Sequence, residues 1–351
     1  MEVCTAKLIF VVHGMMEHLS SVAQSAYHDL LRSLKDDQAD QIDGAAHKEI
    51  RGTRGYWYET VRTGTTVRKR YIGEDTPELA TRLANRTLLA ETQSARNTHR
   101  TRLVRLLRAE GLRSTDMASG SLYAALAKAG VFRLGGTIVG THAFRHYEGE
   151  LGIRFGVNQM AQTDDLDIAQ FERLSLVIDD VVETPLSKTF ADLNFEPQPT
   201  LSRSVWRWRQ TRSNTLIEFL TPSFRDDEDI RDLPALGVSA QSLHFLNYLI
   251  AGPIPAAALY RSGVLVQIPR PERYAIHKLI VADRRRGGPD AIKSLKDRLQ
   301  ATFLIRALAE DRPDDLREAY EDAVGSGPAW RDHIARSLAR LPEAADILQS
   351  L

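Results

Sequence analysis

Apolar residues recur every three or four positions near the start of the chain and over most of its last third. Residues 19–36 carry this helical period, and so does the chain from about residue 238 onward. The stretch 263–269 differs, because apolar and polar residues alternate there as in a half-buried strand. The pattern therefore predicts helices at both ends of the chain and one strand within the C-terminal helical region.

A β-hairpin and an Arg-rich helix are predicted after a polar loop over 36–54. Two runs of aromatic and β-branched residues, 55–61 and 67–73, enclose a Gly-containing turn, which is the pattern of a hairpin. A Thr-Pro pair follows, and it predicts an N-cap with Pro at the first helical position. The helix is expected over 78–111.

Short elements alternate in the middle of the chain, where brief apolar runs are separated by turn residues. The chain is therefore expected to be α/β, of the α+β class, with a short mixed β-sheet. We expect a helix, hairpin and Arg-rich helix region (1–120), a core with the sheet (121–235) and a helical C-terminal domain (236–351). The predicted middle elements are helices over 121–130 and 138–147 and strands over 131–134, 151–157, 166–169, 174–178, 203–209 and 215–220.

The formal net charge is zero, because 46 Lys and Arg residues balance 46 Asp and Glu residues. The total hides two opposite blocks. Residues 48–113 hold fifteen basic and seven acidic residues, a net charge of +8, whereas residues 161–200 hold two basic and nine acidic ones, a net charge of −7. The total therefore does not argue against nucleic-acid binding, but it requires any binding surface to be local.

Several classes of protein are disfavoured by what the sequence lacks. Cys4 is the one cysteine, so no disulfide can form within the chain, which fits a reducing compartment. No apolar run reaches the roughly 20 residues of a membrane-spanning helix, and we expect a cytoplasmic protein with no membrane partner. The nucleophile elbow Gly-x-Ser-x-Gly, the dinucleotide motif Gly-x-Gly-x-x-Gly and the Walker A loop are all missing from the sequence.

The pair Gly135-Gly136 lies between the predicted strand 131–134 and a predicted helix that begins near Ile138. A helix that starts directly after such a turn leaves backbone N–H groups free at its positive end, where they can bind phosphate. Glycine lets the phosphate approach closely, and the hydroxyl of Thr137 can add a donor. The sequence therefore predicts a phosphate site at these three residues.

Three carboxylates stand within apolar runs and are candidates to bind a divalent cation. Asp165 and Asp167 are two residues apart on a predicted strand, so their side chains lie on the same face. Side-by-side carboxylates repel, and Mg²⁺ or Mn²⁺ removes the repulsion because these cations prefer oxygen ligands. Glu218 interrupts another apolar strand, and three carboxylates on adjacent strands could hold two metal ions for in-line phosphoryl transfer.

These motifs resemble the nucleotidyltransferase fold of the DNA polymerase β superfamily, in which an apolar strand with Gly-Gly or Gly-Ser precedes Asp-x-Asp and a later carboxylate. Four strings are more closely similar to a bacterial group of nucleotidyltransferase-like proteins, which is distantly similar to the abortive-infection toxin nucleotidyltransferases. The resemblance covers roughly residues 50–310. The strings are Leu134-Gly-Gly-Thr-Ile-Val-Gly-Thr-His-Ala-Phe144, Asp164-Asp-Leu-Asp-Ile-Ala169, Leu220-Thr-Pro222 and Pro271-Glu-Arg-Tyr-Ala-Ile-His-Lys-Leu-Ile280.

The resemblance implies a nucleotidyltransferase core over 121–235 and a role for each candidate residue. Asp165 and Asp167 would bind both metal ions. Glu218 would bind one of them and could take the proton from the acceptor hydroxyl. The glycine pair and Thr137 would hold the β- and γ-phosphates of a nucleoside triphosphate (NTP).

Basic residues of the C-terminal region are candidates for the triphosphate. Lys278 lies in an apolar helix, where a lysine is unusual unless it is paired. Toxin-like relatives have a comparable lysine near the triphosphate, so the resemblance assigns Lys278 that role; the alternative is a surface lysine whose stem lies along the helix. Arg284, Arg285 and Arg286 follow it and could extend the phosphate contact or interact with the helix C-terminus. Lys293, Lys296 and Asp297 on the next predicted helix are further candidates.

The basic block offers a possible surface for RNA. Aromatic residues interleaved with cations suit RNA, because bases stack on aromatic rings and phosphates pair with cations. The alternative is an ordinary hairpin whose aromatic residues pack inward. The candidate nucleic-acid-binding residues are Arg54, Trp57, Arg68, Lys69 and Arg70.

We therefore predict an enzyme that moves a nucleoside monophosphate (NMP) from an NTP to a hydroxyl group and releases pyrophosphate. The favoured acceptor is the 3′ end of an RNA such as tRNA. By the resemblance, the protein could be a toxin or a phage-defence factor with a cognate antitoxin. Two alternatives stay open: an enzyme that nucleotidylates a protein or a small molecule such as an antibiotic, and a non-catalytic nucleotide-binding or interaction module.

Overall fold

The structure, a computed structural model, describes most of the chain of 351 residues. The described residues are 16–40, 45–63, 66–84, 93–156, 165–177, 180–199, 204–213, 215–225, 227–287 and 290–351. Within these ranges, no helix combines the length and the apolar character that crossing a membrane requires.

The N-terminal region combines a long helix with a three-stranded antiparallel sheet. Its elements are α1 (Ser21–Asp40), β1 (Ala45–Arg51), β2 (Arg54–Thr63), β3 (Thr66–Glu74), α2 (Pro77–Ala84) and α3 (Gln93–Ala109). Strands β2 and β3 are the predicted hairpin, whereas β1 pairs with β2 inside the stretch that was expected to be a loop. The buried Tyr56, Tyr58 and Tyr71 explain how the hairpin attaches to the core. The predicted helix over 78–111 is α2 and α3, and residues 85–92 between them lie outside the described residues.

A mixed seven-stranded sheet forms the centre of the molecule, in agreement with the predicted fold class. The elements of this region are α4 (Met117–Ala129), β4 (Thr137–Val139), α5 (Gly140–Leu151), β5 (Leu166–Ala169), α6 (Glu172–Val177), α7 (Leu186–Asp192), β6 (Phe195–Pro199), β7 (Val205–Gln210), β8 (Leu216–Pro222), β9 (Ile230–Leu233) and β10 (Val238–Leu243). Strand β8 runs parallel to β5 and β10 and antiparallel to β7. Strand β4 pairs antiparallel with β5, and the outer strands β6 and β9 pair with β7 and β10.

Alternation along the central strands gives the sheet one buried face and one partly accessible face. Ile217 and Phe219 of β8 are fully buried, and Trp208 of β7 packs edge-on against Phe219. The residue between the two buried positions of β8, Glu218, remains partly exposed, as does Asp167 of β5. The candidate carboxylates therefore lie on the accessible face because their neighbours fill the core.

The C-terminal region is mainly helical. Its elements are α8 (Leu246–Leu249), β11 (Ile254–Ala258), β12 (Val264–Ile268), α9 (Pro271–Arg284), α10 (Ala291–Asp311), α11 (Pro313–Gly325), α12 (Pro328–Leu338) and α13 (Pro342–Ser350). Helices α9, α11, α12 and α13 have Pro in their first turn, where its missing N–H costs nothing. One hydrophobic cluster extends from Tyr56 in the hairpin to Leu348 in α13, so the hairpin, the sheet and the C-terminal helices share a core.

Several predicted elements differ from the structure. Residues 131–134 form turns rather than a strand, and the strand comes after the glycine pair, at β4. The helix that was predicted from residue 138 begins at Gly140. Residues 174–177 belong to helix α6, residues 151–156 close α5 and continue without a named strand, and residues 238–243 form strand β10. Short apolar runs are buried in turns, helices and strands alike, so burial alone did not distinguish these structures.

Candidate active site

The three candidate carboxylates lie on one face of two neighbouring strands. Asp167 of β5 and Glu218 of β8 are directly opposite each other in the parallel pairing of these strands. Asp165 lies two residues before Asp167, which turns it to the same face. Its Oδ1 accepts a hydrogen bond from the backbone N–H of Leu216, 3.2 Å away. The structure therefore brings the three residues together.

A single row of paired residues crosses four strands at this point. Val139 of β4, Asp167, Glu218 and Arg207 of β7 are successive partners in the sheet. Neighbouring strands lie about 4.8 Å apart, so the row spans about 14 Å. Nη1 of Arg207 lies 4.0 Å from Oε1 of Glu218. The two carboxylates of the row thus stand between the start of α5, which follows Val139, and an arginine.

Repulsion between the carboxylates is visible in their protonation. Burial, together with the nearby charges of Glu218 and Asp165, raises the pKa of Asp167 to about 7. Burial also raises the pKa of Glu218, against the lowering effect of Arg207. Buried carboxylates that share a site behave in this way when no cation neutralises them.

Helix α5 begins directly beside Asp167. Gly140 has a φ of +64°, and a Cβ on this residue would lie 2.6 Å from Oδ2 of Asp167, so only glycine fits here. Val139 caps the helix without a side-chain hydrogen bond, which leaves first-turn N–H groups for another partner. Thr141 adds a hydroxyl, whose Oγ1 accepts a hydrogen bond of 2.8 Å from Nζ of Lys296. A helix N-terminus of this kind is suited to bind phosphate.

The predicted phosphate residues Gly135, Gly136 and Thr137 lie at the other end of β4. Thr137 pairs with Ala169, two positions further along β5 than Asp167, and the glycines come before Thr137. A strand follows the glycines, so the expected helix N-terminus at Gly136 is wrong. Gly135 and Thr137 instead line a cavity of about 980 Å³ that the hairpin and α2 also border.

Helices α9 and α10 place a group of cations near the start of α5. Lys278 and Asp297 are buried, with Nζ and Oδ1 2.5 Å apart. Arg285 reaches the other carboxylate oxygen of Asp297 at 2.9 Å. Burial and the charge of Lys278 lower the pKa of Lys296 to about 8, and Lys278 and Arg285 also lower the pKa of Asp167. This cation group, Lys278, Arg285 and Lys296, shares one buried acid and therefore carries a net positive charge.

Arg284 lies on a different side of helix α9. Its Nη2 is 3.0 Å from Oε1 of Glu228, and its guanidinium group lies 5.5 Å from the centre of the Phe245 ring. The next residue, Arg285, contacts Asp297 instead. One step along a helix rotates the side chain by about 100°, which separates the two arginines. The structure thus places Lys278 in the cation group and Arg284 outside it.

The donor set of the site fits a hard divalent cation that is shared with a substrate. In the part of the chain that the structure describes, no three Asp, Glu, His or Cys side chains are arranged to bind a metal ion by themselves. Mg²⁺ in phosphate-transfer sites is typically bound by one or two carboxylates together with water and substrate phosphates. Asp165, Asp167 and Glu218 need to supply only part of such a shell. The repulsion that raises the pKa of Asp167 also fits a cation at this place.

Two candidate nucleic-acid residues of the hairpin are neutralised by acidic neighbours. Nη1 of Arg70 lies 2.8 Å from Oε1 of the buried Glu59, and Lys69 forms an ion pair with Glu49. The tyrosines of the hairpin face the hydrophobic core, so they are not available to stack on bases. The hairpin therefore corresponds to the alternative in which the aromatic residues pack inward.

The other hairpin candidates also have partners where their side chains are described. Nη1 of Arg54 lies 3.6 Å from Oε1 of Glu74, at the surface. Nε1 of Trp57 donates a hydrogen bond of 2.7 Å to Asp75. Arg68 belongs to β3, and its side chain lies outside the described residues.

Sequence reasoning missed three residues of the site: Gly140, Thr141 and Arg207. A signal for the first two was available, because the β-branched run Thr-Ile-Val is followed by Gly-Thr, the same order of strand, glycine and hydroxyl that was assigned four residues earlier. Arg207 could not be found in this way, because its place opposite Glu218 depends on the pairing of β7 with β8.

Comparison with known proteins agrees with this geometry. A family model described as nucleotidyltransferase matches residues 117–325, from the start of α4 to the end of α11. The match includes the carboxylates, the start of α5 and the cation group. No curated protein and no solved structure matches the chain. Since the match covers more than half of the sequence, the chain belongs to this nucleotidyltransferase family.

Proposed function

We propose that the chain is a metal-dependent enzyme that transfers an NMP from an NTP to an acceptor hydroxyl. The family assignment supports the general part, a transferase with an NTP as its substrate. The observation that carries the proposal is the row in which Asp167 and Glu218 stand side by side, next to the N-terminus of α5. This order puts a place for a divalent cation beside a place for phosphate.

The triphosphate lies at the start of α5 in this proposal. The N–H groups of the first turn and the hydroxyl of Thr141 donate hydrogen bonds to the β- and γ-phosphates. Lys296 is already held at this place by its hydrogen bond to Thr141, and the rest of the cation group neutralises the remaining charge. The absence of a Cβ at Gly140 keeps the helix start close to Asp167.

The carboxylates hold the metal and Glu218 has a second role. Asp165, Asp167 and Glu218 would bind Mg²⁺ or Mn²⁺, which supplies charge neutralisation at the reacting phosphate. The acceptor oxygen forms a bond to the α-phosphorus, the bond to the β-phosphate oxygen breaks, and pyrophosphate leaves with the electron pair. Glu218 takes the proton of the hydroxyl as the general base.

We propose an RNA with a free 3′ hydroxyl, such as a tRNA, as the acceptor. A role in growth inhibition or phage defence, with an antitoxin as a partner, stays a prediction of the resemblance. A protein or a small molecule is the alternative acceptor. Because the charges of the hairpin are paired, support for RNA has to come from the carboxylate face itself.

Transfer of labelled nucleotides tests the proposed activity. The purified chain is incubated with each α-labelled NTP and Mg²⁺, once with total RNA and once with total protein, and pyrophosphate release is measured. We expect label in RNA with at least one NTP and no transfer in the presence of EDTA. The variant with both Asp165→Ala and Asp167→Ala should lose the activity while it remains folded.

A matched control distinguishes the loss of the proposed metal site from the loss of an unrelated negative charge. Asp232 is an exposed carboxylate of β9 that accepts a hydrogen bond of 3.0 Å from Ser239, and Asp232→Asn should keep full activity. Label in protein instead of RNA would replace the proposed acceptor by the alternative. Transfer by the double carboxylate variant would overturn the site, and no pyrophosphate release with any acceptor would favour a non-catalytic module.

A further inference from the structure

We propose that exposed arginines of β7 and of the turn after it bind the phosphodiester backbone of a single-stranded nucleic acid, whose terminal hydroxyl is the acceptor. This surface, the acceptor strip, consists of Arg207, Arg209 and Arg212. The fate of the hydroxyl rests on the proposed function, whereas binding to the strip can be tested without it.

The order of groups across the sheet puts the strip on the acceptor side of the site. The start of α5 lies at the β4 end of the row, followed by Asp167 on β5, Glu218 on β8 and Arg207 on β7. In-line displacement places the attacking oxygen and the leaving group on opposite sides of the phosphorus. With the triphosphate at the β4 end, the attacking hydroxyl arrives from the β7 end, past the strip.

Two arginines of the strip, Arg207 and Arg209, face the same way as the carboxylates. Arg209 is paired with Leu216, whose backbone N–H binds the Asp165 carboxylate. Trp208 between the two arginines of β7 is buried, so alternation turns Arg207 and Arg209 to the accessible face. A strand of nucleic acid that follows β7 therefore runs directly along the edge of the carboxylate site.

Arg209 and Arg212 have no acidic partner among the residues that the structure describes. Both side chains are exposed. Glu196 of β6 is opposite Arg209 in the sheet, yet the two make no ion pair. The described residues of β6, of β7 and of the turn after β7 thus present three arginines and one glutamate to solvent.

Arg207 is held at the inner end of the strip. Its guanidinium group lies 5.1 Å from the centre of the Trp206 ring, within cation–π distance. Its acidic neighbour is Glu218, 4.0 Å away, a residue of the proposed site. A phosphate next to Arg207 would therefore position the end of the strand beside Glu218.

Many charges of the basic block at the N-terminus are neutralised by acidic partners. Arg100 is buried and forms an ion pair of 2.5 Å with Asp37. Lys48 pairs with Asp75, also at 2.5 Å. Charges that are paired in this way contribute little to binding an external phosphate, although they dominate the count of basic residues along the sequence.

The chemistry of the strip selects an anionic acceptor. Planar guanidinium groups bind phosphate through two parallel hydrogen bonds, and a nucleic-acid strand supplies one phosphate per nucleotide. A cationic small molecule would be repelled at the same place. A strand end is required, because the reacting hydroxyl has to pass Arg207 to reach Glu218.

Binding of single-stranded RNA in the absence of NTP and metal tests the strip. The RNA is a fluorescently labelled strand of about 12 nucleotides, within the range of single-strand site sizes, and affinity is measured by anisotropy in EDTA over a series of salt concentrations. The double variant Arg209→Gln with Arg212→Gln should bind about tenfold more weakly. The slope of its log binding constant against log salt concentration should become less steep by about 1.4, or about 0.7 per lost phosphate contact.

The control is the double variant Arg102→Gln with Arg105→Gln, which removes two exposed arginines of α3 and should leave both quantities unchanged. Binding of a fluorescent NTP should be the same in all three proteins.

Equal RNA binding by the wild type and the strip variant overturns the proposed strip, and so does an equal loss of RNA binding in the control variant. Wild-type protein that binds no RNA but labels a protein acceptor also overturns it, while the proposed transfer stands. Loss of RNA binding in the strip variant alone, without transfer to any acceptor, supports the strip and refutes the proposed function.

Discussion

Replacing Asp167 by Asn should stabilise the metal-free protein although it removes the activity. Burial raises the pKa of this carboxyl group from 3.8 to about 7, and the charges of Glu218 and Asp165 contribute to the increase. In the unfolded chain the group ionises with its ordinary pKa. Ionisation of Asp167 in the folded protein therefore costs free energy. Asn has a similar shape and no charge, so the variant does not carry this cost.

The sign and the size of the effect follow from proton binding. Between a pH of about 4 and 7 the folded state holds a proton that the unfolded state has lost, so the free energy of unfolding of the wild type falls as the pH rises. A pKa difference of about 3 units, at about 1.4 kcal/mol per unit, gives about 4 kcal/mol at pH 8. More than half of this develops between about pH 5 and 8, because the unfolded chain is already largely ionised at pH 5.

Urea unfolding at several pH values, in EDTA, measures this difference. As the pH rises, the free energy of unfolding of Asp167→Asn should increase relative to that of the wild type. The slope of this free energy against urea concentration should be the same in both proteins. Asp232→Asn, which removes an exposed carboxylate of β9, should change the free energy of unfolding only slightly. Addition of Mg²⁺ at pH 8 should stabilise the wild type and not Asp167→Asn. A stability difference that is the same at pH 5 and pH 8 refutes the reasoning.

Three other substitutions address the phosphate site and its support. Gly140→Ala should abolish NTP binding and lower the free energy of unfolding in urea by about 2 kcal/mol, because its Cβ would lie 2.6 Å from a carboxylate oxygen. Gly237 is the control, because it has a φ of +65° and nothing lies within 4 Å of its Cβ position. Gly237→Ala should therefore cost only about 1 kcal/mol of backbone strain. NTP affinity, measured by fluorescence titration, should fall as the pH rises through about 8, the pKa of Lys296. The affinity of Lys296→Met should not fall in this pH range. A parallel fall of affinity in both proteins would contradict the role of Lys296. Asp297→Asn should lower the free energy of unfolding by about 3 to 5 kcal/mol, because Lys278 loses its buried partner; a loss below about 1 kcal/mol would show that the pair is not needed.

Local patterns predicted the part of the site that depends on alternation. The spacing of Asp165 and Asp167 placed both on one face, and the apolar neighbours of Glu218 indicated a strand with one carboxylate on its accessible side. These inferences need only the period of a strand. Which strands are neighbours, and in which register, is decided by packing between distant parts of the chain. The pairing of Glu218 with both Asp167 and Arg207 therefore emerges only from the structure.

The position of the phosphate site shows a second limit of sequence reasoning. Two glycine turns lie close together, at Gly135-Gly136 and at Gly140, and both are preceded by apolar residues. The run 131–134 is largely buried in turns after α4, so its composition resembles that of a strand. What separates the two turns is the contact of Gly140 with Asp167, which no local pattern contains.

The ion pairs of the structure change the interpretation of the zero net charge. Part of the acidic block neutralises the basic block across the fold, as in the ion pair of Arg70 with Glu183 at 3.2 Å. Arg133, which lies outside the basic block, pairs with Asp180 of the acidic block at 2.5 Å. Charges that cancel inside the protein exert little force on a substrate, so the field at the site is set by its carboxylates, the cation group and the acceptor strip. Because the strip is exposed while Lys278 of the cation group is buried and Arg285 and Lys296 are only partly exposed, added salt should weaken acceptor binding more strongly than binding of the triphosphate.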